Sequence, residues 1–326
     1  MWNLEVKPNE AFVTYYKAQD MLKDEEEWTR MVQTMTSPLP ITFRINPMCP
    51  NAERLKRELA TTFQFNGREI VVDGKTIAPV RPVEWVPNRR AWQLGCPKRS
   101  LRASPLLKLF HKWIQVETGS GNITRQELVS MIPPLLLDCR SGHAVFDMCA
   151  SPGSKTSQML EDMHATAGEG EGCIRARSEG LLVANDVDTK RAYMLVHQLQ
   201  RLRSPMVVTT THEAQNMPTM RGSGKAFLFD RILCDVPCSG DGTARKNCGI
   251  FKRWDTEAGI GLHGLQLLIA MRGVELLNVG GLMVYSTCSL NPMENEAVVA
   301  ELVRRCGGAI EVVDASHKTK FSLPRL

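Results

Sequence analysis

Two cysteines stand out by their surroundings. Cys238 lies in CDVPCSGDGTARKN (234–247) and Cys288 in YSTCSLNPMENEA (285–297), and each motif includes the end of an apolar run that reads as a strand. A thiol is a strong nucleophile once deprotonated, and a helix start or a nearby cation lowers its pKa. Two thiols at adjacent strand ends are hard to explain as packing, so they are the first candidates for covalent chemistry. Cys149, inside a turn, reads as structural, and Cys234, internal to its strand, as core. None of the ten cysteines forms a C-x-x-C pair, which argues against a zinc ribbon or redox motif, and a chain of 326 residues does not need disulfides. We read them as reduced thiols.

A second group of residues has the character of a ligand cradle. FDMCASPGSKTSQ (146–158) is a small-residue turn between a strand and a helix, where backbone amides can approach a ligand and the helix start favours negative charge. Ser154 rather than Gly precedes Lys155, so this is not a phosphate-binding Walker loop, and G-x-G-x-x-G is absent. The next strand ends in Asn185-Asp186, where an acid can accept from ribose hydroxyls. Asp186 lies 33 residues after Gly153, more than the usual ~20, and the polar insertion GEGEGCIRARSEG (168–180) accounts for the excess. An N-cap for a helix at 188–202 is the plainer role for Asp186. Glu213, ending the third strand in Thr-His-Glu-Ala, could accept from an adenine amino group, although on sequence alone a loop carboxylate is the better reading.

These residues need a frame that brings strand ends together. Strands are expected at 143–148, 180–187, 206–211, 231–236 and 280–289, with helices at 155–164, 188–202 and 261–278. That alternation predicts an α/β fold with a mostly parallel, doubly wound sheet, which binds ligands outside the carboxyl ends of its strands. A sixth strand is expected at AIEVVDA (309–315). Ahead of this lies a small α+β unit. It has a helix over 10–35, a strand at 40–46, a helix at 52–63 and two short strands in 68–80 around Asp73-Gly74. An amphipathic helix from Ser104 to Glu117 connects the two, and Thr124 with Glu127 reads as a capping box for the next helix. The expected units are 1–103 and 104–326.

The net charge of +5 is unevenly spread. Residues 81–112 hold Arg81, Arg89, Arg90, Lys98, Arg99, Arg102, Lys108 and Lys112 against Glu84 alone, with Trp85, Trp92 and Trp113 in or beside them. Such a strip suits a nucleic-acid groove, and equally a solvated face over buried tryptophans. Hydrophobic residues at 43% and charged residues at 23% are ordinary for a soluble protein. No apolar run approaches the ~18 residues of a membrane span, and the N-terminus is too polar for a secretory signal. A nuclear or cytoplasmic, non-secreted, membrane-free address is expected.

Taken together, FDMCASPGSKT, NDVD, DVPCSGDGTARKN and YSTCSLNPMENEAVV closely resemble the Nop/Sun family of RNA cytosine-5 methyltransferases. LPITFRI (39–45), GNITRQELVSMIPPLLL (121–137) and HGLQLLIAMRGVELL (263–277) resemble its eukaryotic tRNA branch. The resemblance covers essentially the whole chain. It implies a Rossmann-like S-adenosyl-L-methionine domain behind an N-terminal RNA-binding region, tRNA as substrate, and a nuclear, nucleolar or cytoplasmic monomer. It also implies roles for particular residues. Cys149, Ala150, Ser151, Pro152, Gly153, Ser154 and Lys155 wrap the methionine end of the cofactor. Asp186 binds the ribose, and Glu213, where the family usually has Asp, binds the adenine. Asp235 faces cofactor and target cytosine with Lys155 close by, Cys288 is the nucleophile, and Cys238 assists product release. No metal is required. The family continues beyond this point, so the resemblance implies a sheet lacking its last, antiparallel strand.

The chemistry suits these residue types. Thiolate addition to carbon 6 of cytosine makes carbon 5 nucleophilic, and Asp235 can hydrogen-bond the exocyclic amine and, when protonated, ring nitrogen 3. The base must leave any stack to reach the pocket. A DNA cytosine-5 methyltransferase, with Cys238 of Pro237-Cys238 as nucleophile, is the first alternative, and Cys288 argues against it. A non-enzymatic RNA-binding protein leaves both cysteines and Asp186 unexplained. A zinc deaminase lacks its H-x-E and P-C-x-x-C motifs.

Overall fold

The computed structural model describes residues 7–315, except 68, 73, 167–178 and 223. The helix expected over 10–35 is two: α1 (Glu10–Ala18) and α2 (Glu25–Thr36). The break falls at Asp20, whose φ is +51°, and α2 restarts where the Asp24 carboxylate accepts from the Glu27 amide. The first sheet follows, assembled from β1 (Ile41–Ile45), β4 (Arg81–Pro82), β5 (Ala91–Leu94) and β6 (Ile123–Arg125) in the order β4-β5-β1-β6, all pairs antiparallel. α3 (Ala52–Thr61) and the hairpin of β2 (Ile70–Val72) and β3 (Lys75–Ile77) lie between β1 and β4 in the chain.

α4 (Pro105–Gly119) packs on this first unit. Leu107, Phe110 and Ile114 share one core with Phe43, Ile45, Leu55, Leu59, Leu94 and Ile123. α4, which begins just after the expected boundary at 103, and Ile123 of β6 thus pack into the core of the first unit. Thr124 is a residue of β6 and caps no helix: its hydroxyl donates to Glu161 at 3.1 Å. A loop and a short 3-10 turn separate it from α5 (Ile132–Leu137), so the sequence spacing of a capping box is present without the helix.

The second sheet comprises β7 (Ala144–Asp147), β8 (Leu181–Asn185), β9 (Val207–Thr210), β12 (Phe229–Asp235) and β13 (Leu277–Ser286) in the order β13-β12-β7-β8-β9, all parallel. A minor hairpin of β10 (Arg221–Gly222) and β11 (Lys225–Ala226) precedes β12. β7 shows why both faces must be covered. Val145 enters a core with Met159, Leu160, Leu195 and Leu199, from α6 (Ser154–Ala165) and α7 (Thr189–Leu199). Its neighbour Phe146 enters another with Leu267, Ala270, Val298 and Leu302, from α9 (Glu257–Leu276) and α10 (Glu296–Cys306). A strand buried on both sides carries apolar residues consecutively. α8 (Ile250–Arg253) is a single turn that joins α1 and α2 in a separate cluster of Phe12, Tyr16, Met35, Phe251 and Trp254.

The expected sixth strand does not form. Residues 310–315 are in no strand, and Val312 and Val313 stand exposed. The expected Asp73-Gly74 turn is described only at Gly74, with φ +73°, since Asp73 lies outside the described residues. So does most of the polar insertion expected at 168–180. No helix among the described residues is long and apolar enough to cross a membrane.

Candidate active site

The chain leaves β7 for α6 on one face, and β12 leads on to α9 on the other, so the sheet's winding reverses between these neighbours. A crevice at the carboxyl end of such a switch is where doubly wound folds take their ligands. The turn 149–155 leaves β7 there. Asn185 ties the strand ends together: its side-chain amide donates to Met148 O (3.0 Å) and His212 O (2.9 Å), while its main-chain carbonyl accepts from the Ala150 amide (2.7 Å). Gly153 has φ +100°, and a Cβ there would sit 2.8 Å from Leu195 Cδ1, so only glycine lets α6 start this close to α7.

Asp186 is buried against this turn. Its carboxylate accepts from the Ser151 amide (3.2 Å) and the Asp188 amide (3.0 Å) and pairs with Arg191 at 3.3 Å. The N-cap of α7 is Asp188, not Asp186, so the capping role weighed for Asp186 belongs to its neighbour. Glu213 is exposed, and Asn216 donates to it at 2.7 Å. Gln215 of the same turn also lies within hydrogen-bond reach of it, at 3.4 Å. Ala150 and Ser151 are buried, and Cys149 is half-buried with its thiol pushed up to about 12 by desolvation, in keeping with a structural role.

Lys155, in the first turn of α6, reaches across to β12 and donates to Asp235 at 2.8 Å. The Ser286 hydroxyl donates to the other oxygen of Asp235 at 2.6 Å. Below them Asp147 is fully buried, and desolvation pushes its carboxyl up to about 7 against a hydrogen bond from Thr156 at 2.7 Å.

Asp235 and Ser286 are register partners on β12 and β13, and from that fixed point the two cysteine loops run side by side. The sulfurs of Cys238 and Cys288 are 3.2 Å apart. The Gly242 amide donates to Cys288 O at 3.0 Å, and a Cβ on Gly242 would lie 2.8 Å from that oxygen. Two buried carboxylates sew the loops together. Glu294 accepts from the Ser239 amide (2.8 Å), from the Ser239 and Ser289 hydroxyls, and from Gln266 (3.0 Å). Asp241 accepts from the Leu290 amide (2.7 Å), Ser289 (3.2 Å), the Trp254 indole (2.9 Å) and the Tyr16 phenol.

The two thiols are inequivalent. Cys288 is exposed and Cys238 half-buried. The thiol of Cys238 donating to its neighbour, helped by Lys155, lowers Cys288 to about 7 despite desolvation and Asp235. The same contact, together with burial, pushes Cys238 up, although it accepts from the Cys288 amide at 3.3 Å. Of the two thiols, Cys288 is the one whose deprotonation is favoured.

Cys238 and Cys288 are in contact, Lys155 pairs with Asp235, and Asp186 is bonded to the 149–155 turn. Sequence reasoning gave no role to Asn185, Asp241, Glu294, Tyr16 or Trp254. The available signal was an acid within each cysteine motif, flanked by small polar residues that an exposed acid would not need. Among the described residues no group of His, Cys, Asp and Glu could hold a metal ion.

A five-stranded, parallel, doubly wound sheet with helices on both faces is an α/β, Rossmann-like fold. The family described as 16S rRNA methyltransferase RsmB/F matches residues 134–320, and the chain belongs to it, in agreement with the Nop/Sun resemblance. The chain is 43% identical over 323 residues to the multisite-specific tRNA:(cytosine-C(5))-methyltransferase of Saccharomyces cerevisiae, covering 97% of this chain and 46% of that one. It is 43% identical over 324 residues to the tRNA (cytosine(34)-C(5))-methyltransferase of Drosophila melanogaster, covering 96% and 43%. The chain thus spans a little under half the length of these relatives. A solved methyltransferase homologue from Pyrococcus horikoshii superposes with TM-score 0.60 at 28% identity, over 84% of this chain and 73% of that one.

Proposed function

We propose that this chain methylates carbon 5 of cytosine in RNA, with tRNA as the substrate and S-adenosylmethionine as the methyl donor, acting as a nuclear or cytoplasmic monomer. The carrying observation is the pair of sulfurs 3.2 Å apart beside the Lys155–Asp235 pair. The names of the two relatives above support the RNA class.

The residues present suit the cofactor. Ser151 Oγ is buried without a protein partner among the described residues, the glycine at 153 keeps the turn open, and Asp186 stands at the end of β8 where a ribose would lie. Arg191, half exposed, can yield its place on Asp186. Bound there, S-adenosylmethionine supplies an electrophilic methyl group. The chain's own residues do the rest. The Cys288 thiolate forms a bond to carbon 6 of the flipped cytosine, moving the ring's electron pair onto carbon 5. Asp235, oriented by Lys155 and Ser286, hydrogen-bonds the base edge and favours that addition. After methyl transfer a base takes the carbon 5 proton, the electron pair returns to the ring, and the carbon–sulfur bond breaks. The Cys238 thiol, donating to the departing sulfur, makes it a better leaving group. The N-terminal unit carries the RNA.

The test is a denaturing gel. Cys238→Ala with tRNA and cofactor should accumulate a protein–RNA adduct, because elimination stalls. Cys288→Ala should form none and transfer no methyl, and the double variant should form none. A second reading rests on the Cys288 amide donating to Cys238, which by itself favours a Cys238 thiolate, as in DNA-type enzymes. Adduct in Cys288→Ala but not in Cys238→Ala overturns the assignment in favour of that reading.

A further inference from the structure

A cleft of about 780 Å³ opens where the first sheet meets the α6–α7 face of the second. Its walls come from the start of β1, from β6, from residues 97–99, from Gly153, Ser154 and Ser157 of the α6 start, from the end of α7, and from Arg245 and Lys246. Six cations line it, namely Lys98, Arg99, Arg125, Arg201, Arg245 and Lys246. Glu127 is the sole acid among the lining residues, and it is paired with Lys246. The 81–112 strip supplies only two of these six. Arg90 of that strip is spent in an ion pair with Asp162 at 2.6 Å, and Trp92 is buried in the first core.

The cleft borders the site described above. Its lining includes Gly153 and Ser154 of the 149–155 turn, and Arg245 and Lys246 a few residues after the Cys238 loop. At Arg201 it adjoins a smaller hollow lined by Ser120, His197, Gln200 and Arg203. It takes in the first turn of the twelve-residue α6, whose amides add positive potential. The lining includes no aromatic side chain, so it offers no platform on which bases could stack. A cationic, ring-free cleft beside the cradle turn suits a phosphodiester backbone better than a base or a small planar ligand.

We propose that this cleft holds the sugar–phosphate backbone of the RNA strand flanking the target cytosine, gripping it without reading its sequence. The inference rests on the RNA substrate proposed above. It accounts for the two-unit construction: neither sheet alone presents the cations, and the strand lies along the seam between them.

Lys98, Arg125 and Arg201 are the residues to change, because they belong to three separate segments and, among the described residues, none of them is held in an ion pair. The measurement is affinity for a tRNA transcript and for two unstructured RNA oligomers of different sequence, across a range of KCl concentrations. Lys98→Ala/Arg125→Ala/Arg201→Ala should bind all three RNAs at least tenfold more weakly at low salt. The slope of log affinity against log salt should fall by about 2, at roughly 0.7 per phosphate contact on a single strand. A control triple of exposed cations elsewhere, Lys75→Ala/Lys190→Ala/Lys225→Ala, should keep the wild-type slope, and both triples should melt with the wild-type protein. The cleft assignment is overturned if the cleft triple keeps wild-type affinity and slope, if the control triple loses as much, or if the loss depends on sequence. Label transfer from S-adenosylmethionine to the same RNAs is scored on the wild-type chain. Its absence sinks the proposed reaction, while the salt slopes still decide the cleft.

Discussion

Arg44 on β1 and Glu161 on α6 meet in a bidentate pair, Nε to Oε2 at 3.1 Å and Nη2 to Oε1 at 3.0 Å, with both side chains buried. Breaking a buried pair leaves an uncompensated charge and costs about 3–5 kcal/mol, whereas replacing both partners by apolar residues is often close to neutral. Glu161→Ala should therefore destabilise the chain by that amount in denaturant unfolding, and Arg44→Met/Glu161→Leu by much less. A loss below about 1 kcal/mol in the single variant would mean the two sheets are held together elsewhere.

Tyr16 acts at a distance from the chemistry. Its phenol donates to Asp241, which in turn fixes the Leu290 amide and the Ser289 hydroxyl next to Cys288. Tyr16→Phe removes a donor to a carboxylate, worth about 1.5–3 kcal/mol. The expected result is slower adduct formation with unchanged cofactor affinity, because the loop bearing Cys288 loosens while the cradle does not. Wild-type adduct kinetics in this variant would reduce Tyr16 to a packing residue.

The pH profile follows from the thiol pair. Because Cys288 is lowered to about 7, its thiolate is populated above that pH and lost below it. Single-turnover rates should rise with pH through an inflection near 7. Cys238→Ala removes the main cause of that lowering, so the inflection for adduct formation should move up towards the ordinary cysteine value of about 8.5. An inflection that does not move would show that Lys155 alone sets it.

Asp186 and Glu213 should separate clearly in cofactor binding. Asp186 is buried against the cradle, so Asp186→Ala should weaken S-adenosylmethionine by about 1.5–3 kcal/mol, the range for charged hydrogen bonds. Glu213 is exposed and tied to Asn216, so Glu213→Ala should have a much smaller effect. Equal effects in titration calorimetry would contradict the difference in their surroundings.

What could be read from the sequence was whatever local pattern dictates. The central strands of the second sheet are buried on both faces, so they appear as apolar runs, and Asp186 stands out because it interrupts such a run at its end. The failures were non-local. Thr124 and Glu127 have the spacing of a capping box, but pairing with β1 draws Thr124 into a strand. The 309–315 segment has strand composition without a ladder partner. The basic strip looked continuous in sequence, yet folding sends Arg90 inward and leaves Lys98 and Arg99 facing cations from residues 125, 201, 245 and 246. Asp241 and Glu294 could not be read as buried, because apart from Ser289 on Glu294 their donors come from segments 13 to 225 residues away.

Consecutive acids on α6 each take an arginine from the first unit: Glu161 takes Arg44 and Asp162 takes Arg90. The same helix opens at the cradle with Ser154 and Lys155. Recombination can therefore exchange the leading segment of this protein only with a donor that carries the same charges. A chimera whose imported leading segment lacks the two arginines strands two carboxylates in its interior, and one whose imported second unit lacks the two acids strands two guanidinium groups. Either graft has to carry all four charges together, so the halves can diverge in sequence only as a matched set.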